Sequence, residues 1–278
     1  MKKVQSFIKF VFMMLMIIYS VTSCRSISTK TYSLTTPLIN AENSIKIVLI
    51  SDLHSTIYGK DQTVLINKII GNNPDLIIMS GDIFDSSRQK TGTQLLLSGI
   101  SGIAPIYFVT GNHEYWGYDI QAIRDEISSY GITILPDEYV IIDIKNNKMV
   151  LAGIDDPDKQ YFEISEYNQK DIMEKAFREL DDLSCYKILI AHRPEMIESY
   201  KKFSFDLILS GHTHGGQIRI GKGLYAPNQG IFPKYDGGLY KHKNLIHIIS
   251  RGLSVGRPRF PRIFNPPELV VVILESNM

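Results

Sequence analysis

The chain has 278 residues, a formal net charge of +1 and an ordinary apolar fraction of 44%. This length and composition predict one large globular domain, or two small ones. The near-neutral charge excludes the strongly basic surface that is typical of nucleic-acid-binding proteins, so we expect no nucleic-acid partner.

The N-terminus has the composition of an export signal. Lys2 and Lys3 precede an apolar stretch from Phe10 to Val21. That stretch is short for a membrane-spanning helix but suits the apolar core of a signal peptide. An uncleaved anchor helix that begins near Phe7 is the alternative interpretation.

Cys24 follows one aliphatic and two small residues, which resembles the cleavage box of bacterial lipoproteins. We therefore predict a lipoprotein-type signal peptide over residues 1–23, a Ser/Thr-rich tether over residues 24–44 and a folded domain over residues 45–278. Lipid on Cys24 would hold the protein at the extracytoplasmic face of a membrane. Cys185 would then be alone, and a buried, inert thiol is its default interpretation.

Three apolar segments in the first half of the chain each end in side chains that commonly bind metals. They predict buried strands at residues 45–51, 75–80 and 105–110. The polar residues that follow these strands are Asp52, His54, Asp82, Asp85, Asn112 and His113. Helical patterns over Asp61–Asn72 and Leu95–Ile100 separate the strands, which predicts right-handed crossovers and a parallel sheet. Sites of such sheets lie beyond the carboxyl ends of the strands, so these residues should meet at one edge.

The middle of the chain has a different pattern. Short strands are predicted at Ile132–Leu135, Tyr139–Ile144 and Met149–Ile154, with turn residues between them. They indicate hairpins and therefore a second, mixed sheet. The acidic turn at Asp155–Asp158 is interpreted as a solvated loop, and Ser165–Leu183 is predicted to be helical.

The last predicted strands of this region again end in histidines. The strand at Lys187–Ala191 is followed by His192, and the strand at Phe205–Ser210 is followed by His212 and His214. Neutral imidazole is the commonest metal ligand of proteins, and the glycines around the last pair let the backbone approach a ligand closely. Five of the seven histidines thus follow predicted strands. The other two are interpreted as structural or surface residues: His242 and His247.

Taken together, the motifs resemble those of the calcineurin-like metallophosphoesterases in order and spacing. They are Asp52-x-His54, Gly81-Asp82, Gly111-Asn112-His113-Glu114, His192 and Gly211-His212-x-His214. The resemblance runs from about Ile45 to the C-terminus. It implies an α/β fold in which two mixed β-sheets stack face to face and helices flank them.

Two C-terminal segments resemble one particular branch of this family. Residues Ser250–Ser254 and Phe264–Leu269 resemble the membrane-associated bacterial phosphodiesterases, a branch related to the UDP-2,3-diacylglucosamine pyrophosphatases. Ser86 stands where the serine/threonine protein phosphatases have an arginine. This difference argues against a phosphoprotein phosphatase.

The resemblance also implies the chemistry of the site. Two divalent ions would clamp the oxygens of a phosphoester and generate hydroxide at neutral pH. Asp82 would bridge the ions, with these further ligands: Asp52, His54 and His214 on the first, and Asn112, His192 and His212 on the second. This mixture of donors suits Mn, Fe, Zn or Ni and not Ca. His113 would be the general acid. Asp85 would orient His113, unless it is the N-cap of a helix.

These features predict a hydrolase that cleaves a phosphodiester or pyrophosphate bond at the membrane surface, with a lipid-linked substrate as one candidate. The alternatives are a phosphomonoesterase or nucleotidase of the same fold, or a non-catalytic metal-binding surface lipoprotein. A non-catalytic relative is expected to have lost a ligand, and none is missing here.

Arginines near the C-terminus are candidate substrate ligands: Arg251, Arg257 and Arg259. Arg257–Phe264, which also contains Arg262, alternates arginines with prolines and aromatic residues and is predicted to form a substrate-side rim. The alternative is a solvated loop with Phe264 tucked into the core.

Overall fold

The computed structural model describes residues 5–11, 14, 26–40, 42–86, 89–117, 119–163, 168–257 and 260–277. Within these residues the chain forms two six-stranded mixed sheets, sheet A and sheet B, and four-residue to ten-residue helices. This is the predicted fold class, an α/β arrangement of two stacked sheets with helices outside them.

Most of the twelve strands that build the two large sheets are rich in Val, Ile and Leu. Together with the strands of the small hairpins, the described residues form eighteen short strands. In chain order they are β1 (Ser28–Thr36), β2 (Ile45–Ile50), β3 (Leu76–Ser80), β4 (Ile106–Val109), β5 (Thr133–Ile134), β6 (Glu138–Ile144), β7 (Asn147–Ile154), β8 (Tyr186–Ala191), β9 (Leu207–Ser210), β10 (Arg219–Ile220), β11 (Lys222–Gly223), β12 (Tyr225–Ala226), β13 (Gly230–Ile231), β14 (Gly238–His242), β15 (Leu245–Ile249), β16 (Gly256–Arg257), β17 (Phe260–Pro261) and β18 (Glu268–Ser276).

The helices connect the strands and lie outside the sheets. They are α1 (Thr63–Gly71), α2 (Thr91–Ile100), α3 (Asn112–Trp116), α4 (Ile120–Ser129), α5 (Lys159–Phe162), α6 (Gln169–Phe177) and α7 (Ile197–Tyr200). Single 3₁₀ turns occupy Lys60–Gln62, Arg178–Asp182, Pro194–Met196 and His214–Gly216.

Sheet A has the strand order β1-β18-β2-β3-β4-β5. Its central strands β2, β3 and β4 are parallel, as the alternation of strands and helices predicted. Sheet B has the order β14-β15-β9-β8-β7-β6, with β7, β8, β9 and β15 parallel and a hairpin at each edge. The carboxyl ends of β2, β3, β4, β8 and β9 carry the predicted ligands.

Three apolar layers hold the sheets and helices together. The middle layer contains side chains from both sheets, such as Leu49 and Ile78 of sheet A and Leu151 and Ile190 of sheet B. The helices α1, α2 and α4 cover the outer face of sheet A, and α6 covers sheet B. Burial of apolar side chains on both faces explains why the strands read as nearly continuous hydrophobic runs.

The structure corrects the tether predicted over residues 24–44. Ser28–Thr36 is not a tether but the edge strand β1, paired in parallel with β18 along its whole length. The folded domain therefore begins before Ser28 and not at residue 45. The alternating pattern of Thr, Tyr and Leu in β1 suits an edge strand, where only one side chain in several needs to be buried.

Two further predictions about the middle of the chain are wrong. The strand predicted at Ile132–Leu135 is β5, which pairs with β4 in sheet A and does not belong to the second sheet. The acidic turn is not a solvated loop, because Asp155 and Asp156 are buried. Cys185 is half-buried where a buried thiol was expected.

The predicted signal peptide and Cys24 lie mostly outside the described residues. Residues 5–11 and 14 are helical, and apolar side chains there, including Phe7 and Phe10, are exposed. Over the described part of the chain, no helix combines the length and apolar character needed to cross a membrane.

Candidate metal centre

The two sheets meet at the edge where their parallel strands end. Asp52 follows β2, and its backbone N–H donates to the Gly81 carbonyl beyond β3 at 3.1 Å. The His212 N–H beyond β9 donates to the Asp52 carboxylate at 2.9 and 3.1 Å. A carboxylate of sheet A thus joins a loop of sheet B, and this bond holds the two halves of the site together.

Many of the candidate ligands have an unusual backbone. Asp52, His54, Asp82, His212 and His214 all have φ between 47° and 70°, in the left-handed region. That region costs a non-glycine residue about 1–2 kcal/mol. Backbone strain of this kind clusters at functional sites, where the surrounding structure maintains a required side-chain geometry.

Close packing of loops at this edge requires two glycines. A Cβ on Gly111 would collide with the Asp82 carboxylate, and a Cβ on Gly211 would collide with Ser51 and the Asp52 carboxylate. The motifs Gly-Asn-His and Gly-His-x-His therefore need glycine at their first position, because a larger residue would occupy the space of the Asp82 or Asp52 carboxylate.

One group of candidate ligands contains two carboxylates and two histidines. Ligand atoms of Asp52, His54, Asp82 and His214 lie within 4.8 Å of one another. His54 Nε2 is 3.5 Å from Asp82 Oδ2 and 3.3 Å from His214 Nε2. His214 Nε2 is 3.8 Å from Asp52 Oδ1. These donors converge on one point, as ligands of a single ion would.

A second group shares Asp82 with the first. Atoms of Asp82, His192 and His212 again lie within 4.8 Å of one another. His192 Nε2 is 3.3 Å from Asp82 Oδ2 and 3.1 Å from His212 Nδ1. The amide oxygen of Asn112 is buried and has no hydrogen-bond partner among the described residues, as expected for a donor kept for a cation.

The protonation states of Asp82, His212 and His214 also suit metal binding. Burial, followed by the charge of neighbouring histidines, lowers the pKa of His212 and His214 well below the usual range, so both imidazoles are neutral. His192 Nδ1 lies 2.7 Å from the Ser80 carbonyl, which leaves Nε2 directed at Asp82. Burial alone would raise the pKa of Asp82, but the surrounding histidines hold it well below its usual range.

The residues therefore fit a pair of divalent ions: each group could hold one ion, and Asp82, which belongs to both groups, would be their shared ligand. Six of the seven candidate ligands fall in these two groups. Asn112 belongs to neither group, and its unpartnered amide oxygen is what supports it as a candidate. Such a pair supplies a nucleophile from water at neutral pH and offsets the negative charge of a phosphoester.

His113 lies beside the first group of ligands. Its backbone N–H donates to Asp82 Oδ1 at 2.8 Å, and its ring contacts His54 with centroids 4.4 Å apart. Ser86 Oγ is 3.2 Å from His113 Nδ1, and Trp116 packs on the ring at 4.8 Å. The imidazole is thus held at the rim of the centre without being one of its predicted ligands.

Asp85 is close to His54 and His113, since ligand atoms of all three lie within 4.8 Å of one another. Its carboxylate is 3.4 Å from His54 Nδ1. The alternative role as a helix N-cap is wrong, because α2 begins at Thr91 with Lys90 as its N-cap. The geometry adds a role that the sequence did not indicate, which is orientation of the His54 ring.

Glu114 supports the site, although the sequence analysis assigned it no role of its own. Its buried carboxylate accepts the backbone N–H groups of Asp82 (2.9 Å), Ile83 (2.8 Å), Phe84 (3.0 Å) and Gly111 (2.7 Å). Burial, then the charge of Asp82, raises the pKa of Glu114 to about 7, although these donors oppose the shift. The sequence feature that could have identified Glu114 is its position at the end of the Gly-Asn-His-Glu motif.

A buried ionic network supports the second group. Arg193, next to His192, forms two hydrogen bonds with the Asp156 carboxylate at 2.7 and 2.8 Å. Asp155 accepts from Thr110 Oγ1 at 2.7 Å and from Lys159 at 2.8 Å. The network ties the end of β4 to the loop after β7 and to His192.

The candidate substrate arginines are only partly described. Arg251 forms an ion pair with Glu268 at 3.4 Å, so its charge is already neutralised. The side chain of Arg257 and the whole of Arg259 lie outside the described part of the structure. Arg262 is not exposed at a substrate-side rim. It is buried and donates to the carbonyls of Arg251 at 2.7 Å, Gly252 at 3.3 Å and His214 at 3.3 Å.

The alternative for this segment also fails in one respect, because Phe264 is 39% exposed and is not tucked into the core. His247, in contrast, is structural as expected: it is buried, with Nε2 at 2.9 Å from Ser210 Oγ.

The fold and the two groups of donors that share Asp82 define the class of protein, a metallophosphoesterase domain. Residues 45–216 match the family described as "Calcineurin-like phosphoesterase", and the chain belongs to that family. Its dinuclear divalent metal centre corresponds to the two groups of donors that share Asp82.

Similar proteins agree with this assignment. An uncharacterized metallophosphoesterase of Helicobacter pylori is 32% identical over 211 residues, which cover 74% of this chain and 53% of the relative. The chain thus spans about half the length of that relative. YpbG of Bacillus subtilis is 31% identical over 252 residues, covering 88% of this chain and 86% of YpbG.

A solved structure shows the same fold. The NAD nucleotidase of Haemophilus influenzae superposes with a TM-score of 0.52 at 16% identity, covering 76% of this chain and 45% of the nucleotidase.

Proposed function

We propose that this hydrolase is a phosphodiesterase acting at a membrane surface. The observation that carries the proposal is the Asp82 carboxylate, which lies between two convergent groups of histidines at the joint edge of both sheets. We infer a diester substrate, and not a monoester, from the charges around that centre.

A monoester carries one more negative charge than a diester and is usually held by arginine. Among the described residues, Arg193 and Arg262 adjoin the metal centre, and both have other partners. Arg193 is paired with Asp156 and Asp158, and Arg262 donates to backbone carbonyls. Ser86, not an arginine, follows Asp85. The described site therefore favours a phosphate group with a single charge.

His113 is the proposed general acid for the leaving alkoxide. Its ring is at the rim of the centre, and Ser86 Oγ at 3.2 Å fixes the orientation of Nδ1. The protonated imidazole would deliver its proton to the leaving oxygen. The Asp82–His113 backbone bond places the imidazole beside the shared carboxylate.

The test compares bis(p-nitrophenyl) phosphate with p-nitrophenyl phosphate on purified protein supplied with Mn, Fe, Zn or Ni. We expect kcat/KM to be higher for the diester with at least one of these metals. A preference for the monoester with every metal would reject the diesterase and favour a phosphomonoesterase or nucleotidase.

The membrane location is proposed from the N-terminus. The exposed apolar side chains of residues 5–11 and the lipoprotein-type box at Cys24 support attachment to the outer face of a membrane. We expect Cys24→Ala to abolish lipidation and leave the leader attached. Mass spectrometry of the mature wild-type N-terminus provides the test, and an intact Met1 would contradict the lipoprotein assignment.

A further inference from the structure

Residues 217–235, here called the hairpin platform, extend from the loop that carries His214. They form two small hairpins, β10–β11 and β12–β13. The platform exposes large apolar side chains, of which Ile220 is 83%, Ile231 68% and Phe232 79% accessible to solvent. Contiguous exposed apolar residues of this size mark an interaction surface.

The platform is held firmly, so the exposure is not a consequence of loose structure. Asp236 accepts from Arg219 at 3.1 Å and from the Gly223 N–H. The Leu224 N–H donates to Gly216 at 3.1 Å, next to His214. Asn228 Nδ2 lies 3.3 Å from His212 Nε2, which joins the platform to the metal centre.

The charge of the platform indicates the kind of partner. Residues 217–235 contain three cationic side chains and no Asp or Glu. Arg219 is paired with Asp236, whereas Lys222 and Lys234 are exposed beside the apolar side chains. Aromatic and aliphatic residues mixed with lysines suit the interface of an anionic bilayer, where each lysine contributes about 1 kcal/mol. A groove of about 230 Å³, lined by Ile218, Leu224 and Phe232 among others, adds apolar surface.

The chain enters the domain at the same edge. β1 begins at Ser28, whose N–H and hydroxyl donate to the Pro267 carbonyl at 2.8 and 2.9 Å. Close by, Asn265 Nδ2 donates to the carbonyl of Gln217, the first residue of the platform, at 3.1 Å. Ser28, the first residue of β1, therefore lies at the edge that carries both the platform and the metal centre.

We propose that the hairpin platform contacts an anionic lipid surface. Ile220, Ile231 and Phe232 enter the interfacial layer, while Lys222 and Lys234 face the headgroups. The contact turns the metal centre towards substrates in that layer. The proposal deepens the proposed membrane-surface function and rests on it.

The test uses the full chain in vesicles that contain brominated phosphatidylcholine, a quencher of tryptophan fluorescence. Phe232→Trp places a probe on the platform, and Ile141→Trp is a matched control on the exposed edge strand β6. Wild-type protein corrects for Trp116, the single native tryptophan. We expect strong quenching for Phe232→Trp and none beyond wild type for Ile141→Trp.

The lysines are tested in the same assay. Adding phosphatidylglycerol should increase the quenching of Phe232→Trp. Replacing Lys222 and Lys234 with Glu in that protein should remove this increase, with about a fivefold loss of the contacting population for each lysine. Lys148→Glu, on β7, is the matched control and should change nothing.

Equal quenching at positions 232 and 141 would overturn the lipid contact and assign the platform to a protein partner. Hydrolysis of bis(p-nitrophenyl) phosphate by the same variants should match wild type, which verifies folding. Absence of diesterase activity in the wild type would reject the proposed function and leave the quenching result unaffected, so the two failures are distinguishable.

Discussion

Replacing Glu114 with Gln should loosen the loop that carries Asp82. The carboxylate accepts four backbone N–H groups, two on each oxygen. The glutamine amide keeps a single acceptor oxygen and presents an NH₂ group to the other pair of donors. Leaving a buried donor unsatisfied costs about 1–3 kcal/mol, so two such donors lower the free energy of unfolding by roughly 2–6 kcal/mol.

The free energy is measured by urea denaturation at pH 8, where the Glu114 carboxyl is mostly ionised because its pKa is about 7. Metal content of the folded protein is measured in parallel and should fall, since the Asp82 backbone is held by this carboxylate. Glu126→Gln is the matched control: its half-buried carboxylate pairs with Lys90 at 3.0 Å, and it should change stability by less than about 1 kcal/mol. Wild-type stability and wild-type metal content in Glu114→Gln would refute the supporting role.

Three other substitutions test individual roles. Asp82→Asn should abolish hydrolysis and lower bound metal more than His54→Asn, because both groups of ligands share Asp82; equal, full occupancy by elemental analysis would contradict the shared ligand. His113→Gln should retain both metals and lower kcat by about 10²–10⁴-fold on alkyl diesters, with a smaller loss on nitrophenyl diesters, whose leaving group needs no proton; equal losses on both would reject the general acid. Arg262→Lys should lower the free energy of unfolding by roughly 1–3 kcal/mol, because a lysine cannot serve all the carbonyls that the guanidinium serves. Its KM for a small diester should stay unchanged, and a raised KM with unchanged stability would restore Arg262 to substrate binding.

Much of the fold and the ligand set could be predicted because their signals are local. The buried strands of sheet A are nearly continuous apolar runs, such as residues 47–50, and polar residues follow directly. Parallel topology then brings the ends together, so His54 and His214 meet although 160 residues separate them. The candidate ligands and the alternation of strands and helices, which predicts the parallel topology, can therefore both be recognised in the sequence.

The remaining features depend on partners that are distant in sequence. β1 has little apolar character of its own, and its pairing partner β18 lies at the other end of the chain. Asp155 and Asp156 are buried because cationic side chains neutralise them. Lys159 is only four residues from Asp155, but Arg124 is 31 residues from Asp155 and Arg193 is 37 residues from Asp156. Arg262 can be buried because its guanidinium donates hydrogen bonds to backbone carbonyls of other loops. Every residue has a backbone carbonyl, so the sequence does not show which of them will accept these bonds.

Two divalent ions that act together across Asp82 are the central prediction for this site. The most direct measurement titrates metal-free protein with a divalent ion while recording bound metal per chain and hydrolysis of bis(p-nitrophenyl) phosphate. We predict that hydrolysis reaches its maximum only as the second equivalent binds, and that Asp82→Asn shows no such rise. Full hydrolysis at one equivalent, or without added metal in demonstrably metal-free protein, would contradict the shared dinuclear centre.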